Sequence, residues 1–243
     1  MNKSANYNLT IIVPVYNESE NMPRLEEAFS AYLAKASVPC CVLFVNDGST
    51  DDGREKIMDM CSRHGDFFYL DFARNAGLSA AIKAGIDYAE SPLVGYIDAD
   101  LQTSPEDFEL LLPYTKEFAL VTGIRANRKD TSFKRFQSKF ANGFRRSMTH
   151  DDATDTGCPL KILHTSAAKR IPFFKGMHRF LPALIRLQEG QNYKETPVRH
   201  FPRTAGVSKF NLWNRLIAPL VDCFAYRWMR SRYINYTVAQ NNL

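Results

Sequence analysis

The sequence predicts an α/β fold, a Rossmann-like and mostly parallel sheet flanked by helices, on three observations. Five apolar runs alternate with four helical patterns through the first 124 residues, a βαβ series. The runs are apolar at successive positions, so both faces of each strand are buried, as in a parallel sheet covered by helices. Several runs also stop on polar or charged side chains, at the carboxyl ends of the strands, where open α/β sheets bind ligands.

The first strand is Leu9–Val15. Pro14 and the polar Asn17 and Glu18 then carry the chain into a loop above the sheet edge, before a helix over 20–36. The second, Cys40–Asn46, delivers Asp47 to the same edge; Gly48-Ser49-Thr50 turns into a helix over 52–64, with Asp51 and Asp52 as capping acids and Gly65 as its stop. The third, Phe67–Phe72, ends in Arg74-Asn75-Ala76-Gly77 ahead of a helix over 78–89 that carries Lys83. The fourth, Leu93–Asp98, breaks off on Asp98-Ala99-Asp100-Leu101-Gln102. Ser104-Pro105-Glu106-Asp107 then supplies an N-cap, a first-turn proline and early acids for a helix over 105–116. Phe118–Gly123 is the fifth strand.

Beyond Gly123 the composition turns basic and aromatic without a clean linker, which predicts an elaboration of the same domain. Phe133, Phe136, Phe140, Phe144 and Met148 recur at helical spacing and read as core. A second amphipathic stretch runs from Phe210 to Trp228 with arginines interspersed, a helix able to seal the sheet or to lie in a membrane interface.

The chain has 243 residues, 45% of them hydrophobic, enough for one sizeable core and too many for a disordered chain. Its net charge of +5 conceals a split: residues 1–124 carry nine basic and 19 acidic groups, residues 125–243 carry 22 and seven. An acidic half with strand-end carboxylates suits a metal-nucleotide; a basic half suits an anionic acceptor or a membrane surface. Nucleic acid is not expected as a partner, because no helix-turn-helix, zinc or RNP pattern accompanies the basic residues. Five cysteines lack zinc spacing and read as reduced thiols in a cytosolic compartment. The amino terminus has no signal-peptide pattern, and the sequence has no run of about 20 apolar residues that would span a bilayer.

An Asp-x-Asp alone is a weak signal and usually a solvated turn. Here it coincides with Ile12-Val13-Pro14-Val15-Tyr16-Asn17-Glu18, Asn46-Asp47-Gly48-Ser49-Thr50-Asp51, Asn75-x-Gly77, Gly123-x-Arg125 with Arg128, Arg135-x-x-Ser138 and Arg203-x-x-Gly206-x-Ser208-Lys209. Together these resemble the family 2 glycosyltransferases with a GT-A fold over nearly the whole chain, nearest to the polyprenyl-phosphate and dolichyl-phosphate branch. The resemblance implies a GT-A domain over 1–209, with a nucleotide-binding half at 1–124 and an acceptor-binding half at 125–209, followed by an amphipathic helix and tail at 210–243. It implies that Pro14, Tyr16, Glu18 and Asp47 line the base and ribose pocket with Arg74 nearby, and that Asp98 steadies the nucleotide. Asp100 and Gln102 would hold Mg or Mn; Arg125, Arg128, Arg135 and Ser138 would receive the acceptor phosphate; Arg203, Ser208 and Lys209 would close over the diphosphate. Asp100, Arg125 and Arg135 are thus the expected catalytic groups. Asp155 has two readings, a base for a hydroxyl acceptor, or a turn residue or partner for an arginine.

The implied reaction is an inverting transfer from a UDP- or GDP-linked sugar to a polyprenyl phosphate, and a phosphate acceptor, already ionised, needs no general base. Relatives in this branch often continue into a transmembrane hairpin. None follows Phe210 to Trp228 here, so attachment is expected to be peripheral, on the inner face of the cytoplasmic membrane, alone or with a membrane partner protein. The rival readings are a transferase acting on a saccharide hydroxyl and a catalytically silent nucleotide-binding scaffold.

Overall fold

The computed structural model describes residues 3–125, 143–202, 218–236 and 239–240. Seven strands form one sheet: β1 (Leu9–Val15), β2 (Cys40–Asn46), β3 (Phe67–Asp71), β4 (Leu93–Tyr96), β5 (Leu120–Arg125), β6 (Lys161–His164) and β7 (Tyr193–Val198), in the order β3-β2-β1-β4-β6-β5-β7. All pairings are parallel except those of β6, which runs antiparallel to both β4 and β5.

Helices cover both faces. Met22, Leu25 and Phe29 of α1 (Met22–Leu33) and Ile57 and Met60 of α2 (Gly53–Arg63) pack on one side, with Phe108 and Leu111 of the short α4 (Phe108–Leu111). On the other side lie Ala81, Ile82 and Ile86 of α3 (Leu78–Tyr88), then α6 (Thr165–Lys169), α7 (Leu181–Ile185) and one face of α8 (Ala218–Arg230). A further helix, α5, spans 143–149. The chain order reverses around β1 and β4, so the crevice beyond their carboxyl ends lies at the switch point where ligands bind in such sheets.

Strands β6 and β7 are not among the sequence expectations, the fourth strand ends at Tyr96, the fifth runs Leu120–Arg125, and the helix boundaries also depart from those expectations. The helix expected over 105–116 is split into 3₁₀ turns at Pro105–Asp107 and Leu112–Lys116 around α4, because Pro113 cannot donate in a helix interior. Gly65 does not stop α2 by a left-handed turn; His64 is already extended at φ −120°. Ser104 occupies its cap position without a side-chain cap bond. All five cysteines are free, and burial pushes the Cys40 and Cys41 thiols up to about 12 and about 11, so both are inert packing groups in β2. Phe144 is half-buried and Met148 buried; Phe133, Phe136 and Phe140 lie outside the described residues, as does 210–217 of the amphipathic stretch.

Candidate active site

The fourth strand stops at Tyr96, and the chain turns through Asp98, Asp100 and Gln102 just beyond the sheet edge. The turn depends on Leu101, whose φ of +51° is uncommon for a branched side chain and marks stored strain. Asp100 is buried and accepts the Gln102 N–H at 3.1 Å; the Asp98 carboxylate accepts the Tyr96 hydroxyl at 2.6 Å. Burial, and then the charge of Asp100, push Asp98 up to about 6. Thr103, next in the chain, buries a hydroxyl with no hydrogen-bond partner among the described residues. Two mutually repelling carboxylates beside an amide oxygen form a hard donor set that fits Mg or Mn. Among the described residues no group of three His, Cys, Asp or Glu side chains comes together, so an ion at this turn would need further oxygen ligands from outside it.

Behind the turn lies a residue sequence reasoning missed. Lys161 is 1% exposed, donates its ammonium to the Cys158 carbonyl and lies 5.9 Å over the Tyr96 ring. Burial pulls its pKa below the usual lysine value, outweighing the upward pull of Cys158, Asp155 and Asp98. Its signal was a lone lysine inside the apolar run Leu160-Lys161-Ile162-Leu163.

Arg125 ends β5 and is clamped by Asp155. Asp155 Oδ2 accepts the Arg125 backbone N–H at 3.1 Å and its Nε at 2.8 Å, and Oδ1 accepts Nη2 at 2.7 Å. Gly157 leaves room for this approach, since a Cβ there would sit 2.9 Å from Arg125 Nη2 and the guanidinium would have to shift. Burial would raise the Asp155 pKa, but the Arg125 guanidinium outweighs it and holds the carboxyl below its usual range. Of the two sequence readings of Asp155, the geometry is that of an arginine partner, with both oxygens engaged.

Tyr16 and Arg74 line a cleft of about 550 Å³ beyond β1, β2 and β3, together with Asn46, Ser49 and Asp71. Asp71 was missed, although Leu70-Asp71 ends its strand as the others do; it accepts from Asn46 Nδ2 at 2.7 Å and Arg54 Nε at 2.7 Å. Asp47, expected to line this pocket, instead accepts from Asn75 Nδ2 and the Ala76 and Gly77 N–H groups at 2.7 to 2.9 Å. It is 3% exposed and organises the β3–α3 loop. Glu18 points to Asn21, whose Nδ2 donates to it at 2.8 Å, and Pro14 stays inside β1 opposite Val45; neither lines the cleft. The loops after β1 and β2 are laced together by Asn17 N–H to Ser49 Oγ (3.0 Å) and Thr50 N–H to Asn17 Oδ1 (2.8 Å). Arg128, Arg135, Ser138, Arg203, Ser208 and Lys209 lie outside the described residues. The chain leading to Arg203 is tied to the acidic turn, since Phe201 N–H donates to the Gln102 carbonyl at 2.8 Å and Arg199 is held by Asp107.

The sequence model of Glycosyl transferase family 2 matches residues 10–175, which contain both the acidic turn and the cleft. The chain belongs to this family. A dodecaprenyl-phosphate galacturonate synthase from Rhizobium johnstonii is 32% identical over 231 residues, covering 92% of this chain and 68% of that protein. An undecaprenyl-phosphate 4-deoxy-4-formamido-L-arabinose transferase from Pectobacterium atrosepticum is 32% identical over 222 residues, covering 89% and 67%. In three dimensions this family 2 glycosyltransferase is similar to glucosyl-3-phosphoglycerate synthase from Mycobacterium tuberculosis, solved with Mn²⁺, UDP-glucose and phosphoglyceric acid. The TM-score is 0.67 at 13% identity, over 93% of this chain and 80% of that one. A mannosyltransferase from Pyrobaculum calidifontis, solved with GDP-mannose and Mn²⁺, gives a TM-score of 0.63 at 19% identity, over 90% and 63%. The fold is GT-A.

Proposed function

We propose that this glycosyltransferase moves a sugar from a nucleoside diphosphate to a polyprenyl phosphate with inversion at the anomeric carbon. The observation that carries this reading is the Arg125–Asp155 clamp. A hydroxyl acceptor needs a carboxylate to take its proton, and the candidate base already has both oxygens on Arg125 and a depressed pKa. A phosphate monoester, with a second pKa of about 6, is ionised at neutral pH and needs only to be positioned. Asp155 then fixes the Arg125 guanidinium through Nε and Nη2 and holds its charge in place for a phosphate. Arg128, Arg135 and Ser138 complete the acceptor site in this proposal. The relatives named for transfer to polyprenyl phosphates support the acceptor class.

On the donor side, Tyr16, Asn46, Asp71 and Arg74 receive the nucleoside, and Asp98 steadies the nucleotide from the acidic turn. Asp100 and Gln102 would hold Mg or Mn, whose charge would offset that of the nucleoside diphosphate. Arg203 and Lys209 serve the same diphosphate, since the chain entering that segment is fastened to Gln102. The enzyme works peripherally at the cytoplasmic face of a membrane, with α8 against the lipid.

Incubation with a panel of UDP- and GDP-sugars, polyprenyl phosphate and Mn²⁺ or Mg²⁺ tests this. Metal-dependent glycolipid formation that vanishes in Asp100→Ala is expected. Extension of an oligosaccharide with no glycolipid formed would overturn it.

A further inference from the structure

A row of cross-strand partners crosses four strands of the sheet, from the acidic turn to the turn that holds Arg125. Tyr96 of β4 pairs with Lys161 of β6, Lys161 with Thr122 of β5, and Thr122 with Glu195 of β7. Directly paired residues share a face of the sheet, so these four side chains stand on one side. At one end Tyr96 donates its hydroxyl to Asp98 at 2.6 Å. At the other, Glu195 meets the backbone of the turn 154–158.

Two charged side chains of this row hold that turn, one at each end. Glu195 Oε1 accepts the Thr154 N–H at 2.8 Å and the Asp155 N–H at 3.2 Å, while Oε2 accepts the Thr154 hydroxyl at 2.9 Å. The Lys161 ammonium donates to the Cys158 carbonyl, and the Cys158 N–H closes the turn on the Asp155 carbonyl at 3.3 Å. Between the two anchors sits Asp155, whose carboxylate takes Nε and Nη2 of Arg125. Bonds from backbone N–H groups to an ionised carboxylate are about twice as strong as neutral ones, so Glu195 fixes where the Asp155 backbone lies. Glu195 is half-buried and stands on the edge strand, away from the packed core.

Resting on the reading of Arg125 as a group for the acceptor phosphate, we propose that Glu195 is a positioning residue: it sets the turn that carries Asp155 and, through Asp155, the place of the Arg125 charge. Lys161 fixes the far end of the same turn. Neither side chain touches substrate in this role. The reaction needs its ionised acceptor placed, and a misplacement of about 1 Å can cost about 10²-fold in rate, so a carboxylate remote from the acceptor acts on it through geometry alone.

Calorimetry on the full chain in Mn²⁺ measures the binding of UDP and GDP, and then of geranyl phosphate, a short water-soluble isoprenyl phosphate. Glu195→Ala is expected to weaken geranyl phosphate about tenfold, the worth of one charge-assisted hydrogen bond, while the nucleoside diphosphate binds within about twofold of wild type. Glu195→Gln is expected to restore most of the affinity, because its amide oxygen accepts the same two N–H groups and its NH₂ donates to the Thr154 hydroxyl. In an Asp155→Asn background, Glu195→Ala is expected to add less than about twofold, since it acts through Asp155. Should the alanine variant not fold, Glu195→Asp, which keeps the charge but falls short of the turn, carries the same expectations. Equal losses for geranyl phosphate and the nucleoside diphosphate, an unchanged geranyl phosphate affinity, or a full tenfold effect on top of Asp155→Asn would each overturn the proposal. Arg125→Lys tests the reading beneath it. Geranyl phosphate bound as tightly by that variant as by wild type, or by neither, would remove Arg125 from the acceptor site and the proposal with it; a loss there with none in Glu195→Ala would overturn the positioning role alone.

Discussion

Asp155 separates two chemistries by a measurement on one side chain. As the partner of Arg125, its replacement by Ala leaves a guanidinium buried without its counter-charge, expected to cost about 3–5 kcal/mol in a urea titration. Asp155→Asn keeps the shape. A lost general base would lower kcat by at least about 10²-fold, whereas a lost clamp is expected to raise KM for the acceptor and lower kcat by less. His178 offers a second test, by pH. Burial, and after it the charge of Arg179, pull its pKa from 6.5 to about 3, so the folded protein holds the ring neutral while the unfolded chain protonates it below 6.5. The unfolded state therefore binds more protons between those values, and the stability from His178 is present above pH 6.5 and lost as the pH falls toward 3. Wild-type protein is expected to lose about 1.4 kcal/mol for each pH unit below 6.5 from this group, and His178→Gln to show a shallower slope between pH 6.5 and 5 in urea titrations. Equal slopes would mean that the ring protonates freely in the fold.

At the level of elements, β1 to β4, α1, α2 and α3 were legible because each has a long apolar run or a full helical period. Strand β6 was not: it has four residues, it is antiparallel in a series that reads as parallel, and Lys161 interrupts its apolar pattern. Strand β7 was hidden by its place at the sheet edge, where Lys194, Glu195 and Pro197 are tolerated and periodicity is weak. The site followed the same rule. Asp98, Asp100 and Gln102 were readable as carboxylates and an amide ending a buried strand. Lys161 and the cleft of about 710 Å³ lined by segment 173–179 and Asp222 depend on β6, that segment and α8 meeting in space, which no local pattern encodes. Gly176 joins these last two. Its φ is +91°, and a Cβ there would fall within contact distance of the Asp222 carboxylate. Gly176→Ala is expected to lose about 1–3 kcal/mol from the left-handed backbone alone, with a further loss from displacing α8, seen as a lower thermal midpoint. An unchanged midpoint would show that α8 does not rest on this turn.

Across the whole molecule, the acidic half holds the strand-end site and the basic half holds α8. The helix has two working faces. Cys223, Tyr226 and Met229 are buried against the domain, and the Tyr226 hydroxyl donates to the Ala183 carbonyl at 3.2 Å. Val221, Phe224 and Trp228 are 61%, 61% and 64% exposed, with Arg227, Arg230 and Arg232 beside them. No helix among the described residues is long and apolar enough to cross a membrane. An exposed apolar face with arginines beside it is the pattern of a helix that docks in the interface plane. Flotation with anionic vesicles is expected at low salt and to weaken as salt rises, because basic residues near such a surface contribute about 1 kcal/mol each and are screened within a Debye length. The double variant Phe224→Asp, Trp228→Asp touches exposed positions, so its stability is expected to stay within about 1 kcal/mol of wild type while flotation is lost. Asp222, between those apolar side chains, lines a cleft of about 710 Å³ together with segment 173–179 and the β3–α3 loop. A docked enzyme would then take its acceptor from the bilayer without extracting the polyprenyl chain. Transfer to polyprenyl phosphate in vesicles is accordingly expected to fall far more in the double variant than transfer to a short, water-soluble isoprenyl phosphate, and an equal fall in both would place the defect in the site instead of at the membrane.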